Sequence, residues 1–124
     1  MYVTSVSLND TGAGTEETYR GPRLSAGLIE DLIHRLDGAR HTTVVLHGGD
    51  GATMSVGGKA GEGLVVIENR DSAYHFLSGT HIASLAAGNV RDRGHLVDVE
   101  RALKAAREFA ATGKLADGLI WQAV

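Results

Sequence analysis

Cysteine is absent from this sequence of 124 residues, and proline occurs once. Without cysteine, a disulfide scaffold, a thiol nucleophile, a cysteine-ligated zinc site and an iron–sulfur cluster are all excluded. Long apolar runs are also missing, because no stretch approaches the roughly 20 residues that a membrane-spanning helix needs. The opening MYVTSVSLND lacks the basic region and apolar core of a signal peptide. We therefore expect a cytoplasmic protein without a membrane association.

The sequence also lacks a concentrated patch of basic residues. The chain has 12 Lys and Arg against 15 Asp and Glu, for a formal net charge of −3. The densest basic group, Arg91-Asp92-Arg93, is interrupted by its own acid. Because nucleic-acid-binding domains normally carry a basic face, we expect no nucleic-acid binding. A mildly acidic protein is better suited to a partner protein with a basic surface.

Glycine, in contrast, is abundant. The 17 glycines are about twice the share of ~7% typical of soluble chains, which predicts short elements joined by tight turns. The apolar fraction of 43% is ordinary for a globular protein. A chain of this length is expected to form a single domain over residues 1–124.

The first third of the chain predicts a strand, a loop and a helix. Residues 2–8 have strand composition, whereas residues 9–22 have the polar, glycine-rich character of a loop. Ser25 is suited to cap a helix that Gly38 ends. Apolar residues recur at helical spacing in between and predict one buried stripe, formed by Leu28, Ile29, Leu32, Ile33 and Leu36.

The rest of the chain predicts a series of hairpins, a second helix and a last strand. Asp98 is suited to cap the helix and Gly113 to end it, while residues 78–96 predict no single element. The order of elements indicates an α+β fold, with two principal helices packed on a mainly antiparallel sheet. The predicted strands are residues 41–47, 52–56, 64–68, 72–77 and 119–124.

Signals for catalysis are weak. The six histidines form neither a helical i, i+4 pair nor an H-E-x-x-H motif, so hydrogen-bonded or surface roles explain them better. The segment LHGGDG, residues 46–51, is similar to an esterase oxyanion segment, but no G-x-S-x-G elbow accompanies it. A hairpin turn is the stronger interpretation, and no phosphate-binding loop is present. We expect no enzyme activity, no cofactor and no metal.

Two alternatives stay open beside a binding module. The first is a small hydrolase or a metal-dependent enzyme that uses His47 and Asp50. The second is a regulatory domain that binds a small ligand, which would require a sizeable apolar pocket.

The last 28 residues, VDVERALKAAREFAATGKLADGLIWQAV, carry a family resemblance. The segment resembles the C-terminal signature of the Imm-one type of bacterial immunity protein, found in polymorphic toxin systems. In that family an alanine-rich helix with the pattern A..EF..TG precedes a strand with a late Trp. The upstream segments MSVGG and LVVIENRDSAYHFL are similar to the family's hairpin, with Tyr74 at its Tyr position. The matching residues of the signature are Ala105, Glu108, Phe109, Thr112, Gly113 and Trp121.

The resemblance implies an inhibitor that binds a cognate toxin, with a nucleic-acid deaminase as the expected partner. Occlusion of the toxin's active site, rather than chemistry, would be the mechanism. The signature residues Phe109, Gly113 and Trp121 are expected to have structural roles. For the interface we favour polar turns and strand ends, because Tyr and Arg are enriched at binding hot spots. The candidate partner-binding residues are Asp71, Tyr74, His75, Arg91, Asp92 and Arg93.

Overall fold

A computed structural model defines residues 1–78 and 96–123. These residues form two α-helices, α1 (Ala26–His34) and α2 (Val99–Thr112), and a 3-10 turn at Gly21–Arg23. They also form one antiparallel sheet with the strand order β2-β1-β3-β4-β5-β6-β7. The predicted α+β fold, an antiparallel sheet with two helices packed on it, is confirmed. The strands are β1 (Val3–Asp10), β2 (Thr15–Arg20), β3 (Thr43–Gly48), β4 (Thr53–Lys59), β5 (Gly63–Arg70), β6 (Ala73–Ser78) and β7 (Ile120–Ala123).

Alternation along the strands divides the sheet into two faces. Val6, Leu46 and Met54 lie opposite one another across β1, β3 and β4, and all three are fully buried. They share one hydrophobic core with Ile33 of α1 and Phe109 of α2. We call this side of the sheet the helix face, and the opposite side the second face. Since side chains alternate along a strand, the register of each pair assigns every strand residue to one face.

Both helices begin where their capping residues predict. The Ser25 hydroxyl accepts a hydrogen bond from the Leu28 N–H at 3.0 Å, and the Asp98 carboxylate accepts one from the Arg101 N–H at 2.9 Å. These bonds satisfy backbone donors that have no partner within a helix's first turn. At the other end of α2, Gly113 has a left-handed φ of 76° and its N–H donates to Phe109, as a glycine stop predicts.

The first helix ends earlier than Gly38 predicts. Its last residue is His34, and Gly38 lies in the following turn with a φ of 73°. In that turn the Asp37 carboxylate accepts hydrogen bonds from the backbone N–H groups of three residues ahead of it. These bonds offer the backbone a local alternative to continuing the helix. The glycine therefore serves the turn rather than the helix end.

The predicted loop over residues 9–22 is wrong. Its second half forms β2, which pairs antiparallel with β1 from Thr15 opposite Asp10 to Arg20 opposite Ser5. The sequence of β2, TEETYR, has little apolar character because the strand lies at the edge of the sheet and only Tyr19 packs against the core. A polar edge strand gives almost no hydrophobic signal along the sequence, since its stability comes from the neighbouring strand.

Neither of the described helices has the length and apolar character that crossing a bilayer demands.

Candidate partner-binding surface

The turn between β5 and β6 has an unusual backbone. Arg70 and Ala73 pair across the hairpin, and the two residues between them, Asp71 and Ser72, have φ values of 51° and 66°. Two positive φ values are typical of a type I′ turn, which prefers Asn-Gly or Gly-Gly. Asp tolerates the left-handed region better than most residues do, whereas Ser tolerates it less well than Asp. This chain therefore keeps two exposed polar side chains at positions where glycine would be the easier choice.

The predicted partner-binding residues are distributed over both faces. Asp71 is exposed at the turn, and Tyr74, which is 44% exposed, lies on the second face. His75 is the next residue and therefore lies on the helix face, opposite Glu68 of β5. Asp71 and Tyr74 are thus accessible on the β5–β6 hairpin, while the His75 side chain lies on the opposite, helix face of the same hairpin. Arg91, Asp92 and Arg93 lie outside the described residues.

Glu68 places a carboxylate on the helix face of the sheet, next to the hydrophobic core. It is 4% exposed and occupies a helix-face position beside Met54 of β4. One oxygen, Oε1, lies 3.2 Å from His75 Nδ1, and the other, Oε2, lies 3.6 Å from Arg70 Nε. A buried carboxylate is tolerated when charged or hydrogen-bonding partners compensate its lost hydration. Glu68 therefore requires both neighbours.

Arg70 connects the hairpin to three other parts of the chain. Its Nη1 donates to Asp50 Oδ2 at 2.9 Å, in the turn between β3 and β4. Its Nη2 donates to the Gly113 carbonyl oxygen at 2.7 Å and to the Tyr2 hydroxyl at 3.3 Å. The Gly113 carbonyl is at the negative end of α2, where a guanidinium is stabilising. The pKa of Arg70 is raised, mainly by the hydrogen bond with Tyr2.

Tyr2 fills the space between two glycines. Its ring contacts Phe109 edge to face, with centroids 5.4 Å apart, and its N–H donates to the Ala110 carbonyl at 2.8 Å. A Cβ at Gly48 would lie 2.3 Å from the ring, and one at Gly113 would lie 2.7 Å from it. Real Cβ contacts are essentially never so short, so a larger residue at either position would have to displace the Tyr2 ring.

The Tyr2 hydroxyl completes the polar network by donating to the Asp50 carboxylate. Desolvation and this hydrogen bond raise the pKa of Tyr2, while the same hydrogen bond is the main reason that the pKa of Asp50 is lowered. We call Tyr2, Asp50, Glu68, Arg70 and His75 the anchor network. The network has a structural role, because each of these side chains forms a hydrogen bond or an ion pair with another one. Together these contacts fix the base of the exposed hairpin.

The comparisons with known proteins find no relative. No protein-family model, no curated protein and no solved structure matches this chain. The family resemblance of the C-terminal segment therefore stays a prediction.

The signature residues occupy packing positions. Phe109 is fully buried, and Gly113 ends α2 against the Tyr2 ring. Trp121 of β7 lies opposite Leu77 of β6, is partly buried against the core and donates from Nε1 to the Ala116 carbonyl at 3.3 Å. All three positions suit the structural roles that are expected for these residues from the sequence.

The structure does not bring together the two residues of the alternative hydrolase. The His47 ring lies on the second face, with Nε2 3.0 Å from Ser7 Oγ, whereas the Asp50 carboxylate is bound by Tyr2 and Arg70. Ser7 is 3% exposed, which leaves little access for a substrate. Within residues 1–78 and 96–123, no three His, Asp or Glu side chains are grouped so that they could hold a metal ion.

The regulatory-domain alternative requires an apolar pocket. An open cleft of about 420 Å³ lies between the α1–β3 turn and the β4–β5 turn, and Leu96 is the one aliphatic residue among those of residues 1–78 and 96–123 that line it. A second cleft, of about 380 Å³, is bordered by Lys104, Arg107 and Glu108 of α2. The described lining residues of both clefts are mostly charged residues and glycines, whereas a small-ligand site is lined mainly by hydrophobic and aromatic side chains.

Most of the anchor network was not predicted from the sequence, although β5 contains a signal for part of it. Leu64 and Val66 are buried on the helix face, so the same alternation assigns Glu68 and Arg70 to that face. Two charged residues on a buried face should have compensating partners nearby. Tyr2 gives no such signal, because the groups that it contacts lie far away from it in the sequence.

Proposed function

We propose that this protein is an immunity protein, which binds a cognate bacterial toxin in the cytoplasm and blocks its active site. The supporting observation is the Asp71-Ser72 turn, where two non-glycine residues adopt left-handed backbone on a rigid base. Backbone in sparsely populated regions persists where the surrounding structure over-determines it, and such positions cluster at functional sites. The anchor network supplies that over-determination through Arg70 and Glu68.

The hairpin has the chemistry of a binding surface. Tyr74 offers a large side chain with two rotatable torsions, 44% of it exposed, and Asp71 offers a carboxylate at the tip. Tyr is enriched among residues that dominate binding energy, and rigid presentation reduces the entropy lost on association. A preformed hairpin can therefore bind without first ordering its backbone.

The toxin that suits this surface is a nucleic-acid deaminase. The resemblance of the C-terminal helix and strand implies that class, and charge is consistent with it. A deaminase holds a polyanionic strand in a positively charged channel, and an inhibitor of net charge −3 is complementary to such a channel. An acidic turn inserted at the mouth of the channel would exclude the substrate. The inhibition would be stoichiometric and would require no chemistry.

Co-expression with a deaminase toxin encoded by the adjacent reading frame tests the proposal. We expect co-purification of the two chains, loss of deaminase activity at one equivalent, and protection of the cells. Tyr74→Ala should weaken binding by about tenfold or more. Failure of the wild-type protein to bind or inhibit that toxin would overturn the proposal.

A double variant separates recognition from folding. Asp71→Asn with Ser72→Gly creates the preferred type I′ sequence and should keep the turn intact, while it removes the carboxylate. We expect weaker binding of the toxin by a protein that is at least as stable. The matched control is Asp31→Asn on the exposed side of α1, which should bind as the wild type does. Equal affinity of all three proteins would show that the turn is not the contact surface.

A further inference from the structure

Strand β2 forms an edge of the sheet. It pairs with β1 along one side, and no described strand lies along its other side. An edge of this kind presents backbone N–H and C=O groups that can pair with another chain. Natural edges are usually blunted by charged residues, and β2 carries Glu16, Glu17 and Arg20. The arrangement of these charges, however, favours one particular partner.

Glu16, Thr18 and Arg20 share the second face of β2. Their neighbours on β1 are Asn9 opposite Glu16 and Ser5 opposite Arg20, which are both uncharged. Within the described part of the chain, neither Glu16 nor Arg20 has an ion-pair partner. They are four residue steps apart along the strand, a distance of about 13 Å, so they cannot pair with each other. The second face of β2 therefore carries one charge of each sign without an ion-pair partner, and the two charges are equally far from Thr18.

We infer that β2 binds the β2 strand of a second copy of this chain, antiparallel, with the two-fold axis at Thr18. In this register Glu16 of each copy lies opposite Arg20 of the other, and the two Thr18 residues face each other. Opposite charges and Thr–Thr pairs directly across neighbouring strands are both stabilising. The contact is isologous, as a two-fold symmetric dimer requires. One sheet then continues through both copies.

Symmetry leaves few other registers. Residues directly opposite must lie on the same face, so a two-fold axis normal to the sheet has to pass through a residue position. An axis at Glu17 would place the two Glu17 carboxylates against each other, which is destabilising. An axis at Tyr19 would leave Glu16 and Arg20 without partners. Only the axis at Thr18 compensates both charges, and it places Glu17 opposite Tyr19, whose hydroxyl already donates to Glu17 within one chain at 2.6 Å.

The dimer contact is independent of the proposed toxin surface. Strands β1, β3 and β4 lie between β2 and β5, so about 19 Å separates the edge from the hairpin strand at the usual spacing of ~4.8 Å. A dimer would expose both Asp71-Ser72 turns and could bind two toxin molecules. The inference therefore stands or fails separately from the proposed function.

Charge reversal provides the test, with sedimentation equilibrium of the full chain as the measurement. The wild type should be a concentration-dependent dimer. Glu16→Arg alone and Arg20→Glu alone place like charges opposite each other twice, so each should raise the dimer dissociation constant about tenfold or more. The double variant restores opposite charges and should dimerise as the wild type does.

A mixture of the two single variants is the most specific experiment. In that mixture one chain has arginine at both positions 16 and 20, and the other chain has glutamate at both. Opposite charges then meet at both contacts, so a heterodimer should form more tightly than either variant forms a homodimer. Far-UV circular dichroism establishes that each variant is folded, and Asp117→Arg controls for a charge reversal elsewhere on the surface. A wild type that is monomeric at all concentrations, or single variants that dimerise like the wild type, would overturn the inference.

Discussion

The Arg70 guanidinium lies 2.7 Å from the carbonyl oxygen of Gly113, which fastens the end of β5 to the residue that ends α2. This contact joins an element of the middle of the chain to the segment that carries the family resemblance. The Tyr2 ring also packs against Gly113. The sheet, the end of α2 and the exposed hairpin are thus held in one arrangement.

Gly113→Ala should destabilise the protein by about 2–5 kcal/mol, because a left-handed backbone is combined with overpacking. The added Cβ would lie 2.7 Å from the Tyr2 ring at a φ of +76°. Gly51→Ala is the matched control, since Gly51 also has a positive φ but open space around it, and it should cost about 1–2 kcal/mol. Thermal or urea unfolding of both variants measures the difference. Equal losses would show that the Tyr2 contact is unimportant.

Arg70→Met should reduce the free energy of unfolding by about 2 kcal/mol, because Glu68 loses a cation and remains buried. This loss is smaller than the loss expected for a fully buried ion pair, since the Arg70 side chain is 35% exposed. Arg101→Met removes the ion pair with Asp98 at the surface and should cost less than about 1 kcal/mol. Urea unfolding distinguishes the two, and similar losses would argue against the anchor network.

The contact between Asp10 and Arg40 should make stability depend on acid pH. Two guanidinium nitrogens bind the Asp10 carboxylate at 2.9–3.0 Å and lower its pKa from 3.8 to about 2. The folded state then binds this proton less readily than the unfolded state does. The ionised Asp10 carboxylate therefore makes its full contribution to stability above about pH 4, and this contribution is lost as the pH falls towards 2.

Urea unfolding of wild type and Asp10→Asn across that pH range measures this contribution. The difference between the two proteins should be largest above pH 4 and should shrink as the pH is lowered. A difference that stays constant with pH would mean that the ionised carboxylate contributes nothing.

Replacement of Ser72 by Gly should stabilise the protein by about 1 kcal/mol, because glycine adopts the observed φ of +66° without steric cost. Ser55→Gly is the control, since Ser55 lies within β4, where glycine should destabilise by about 0.5–1 kcal/mol. We expect the melting temperature to rise for Ser72→Gly and to fall for Ser55→Gly. A destabilised Ser72→Gly protein would show that the serine side chain supports the turn.

Phe109→Ala should cost about 3–5 kcal/mol, as expected for a fully buried aromatic ring. Trp121→Ala should cost about 1–2 kcal/mol, because Trp121 lies on a short strand and is only partly buried. Denaturant unfolding of the two variants ranks them. A larger loss for Trp121 would mean that the single tryptophan, rather than the helix it follows, organises this end of the core.

Local rules were enough to predict much of the fold from the sequence. The caps at Ser25 and Asp98, the stop at Gly113 and the buried stripes of both helices depend on residues within a few positions of one another. The strands from β3 to β6 are also short-range features, since each is joined to the next by a tight turn. Their α+β combination follows from the order in which they occur.

Strand pairing and turn contacts that leave no hydrophobic pattern in the sequence decided the rest. β2 exists because β1 pairs with a segment too polar to show a strand pattern, and Gly38 serves a turn because Asp37 binds the backbone ahead of it. The site was predicted only at Asp71, Tyr74 and His75, and alternation along β6 then separated Tyr74 from His75 onto opposite faces.

The sequence by itself determined which residues prefer helix, strand or turn, because those preferences are set by neighbouring residues along the chain. Only the tertiary structure determined that Tyr2 fits between Gly48 and Gly113, and that Arg70 joins Asp50 to the end of α2. The physical reason is that a close contact or a buried ion pair depends on distance in space. Residues 2 and 113 become neighbours only when the sheet and the second helix pack together.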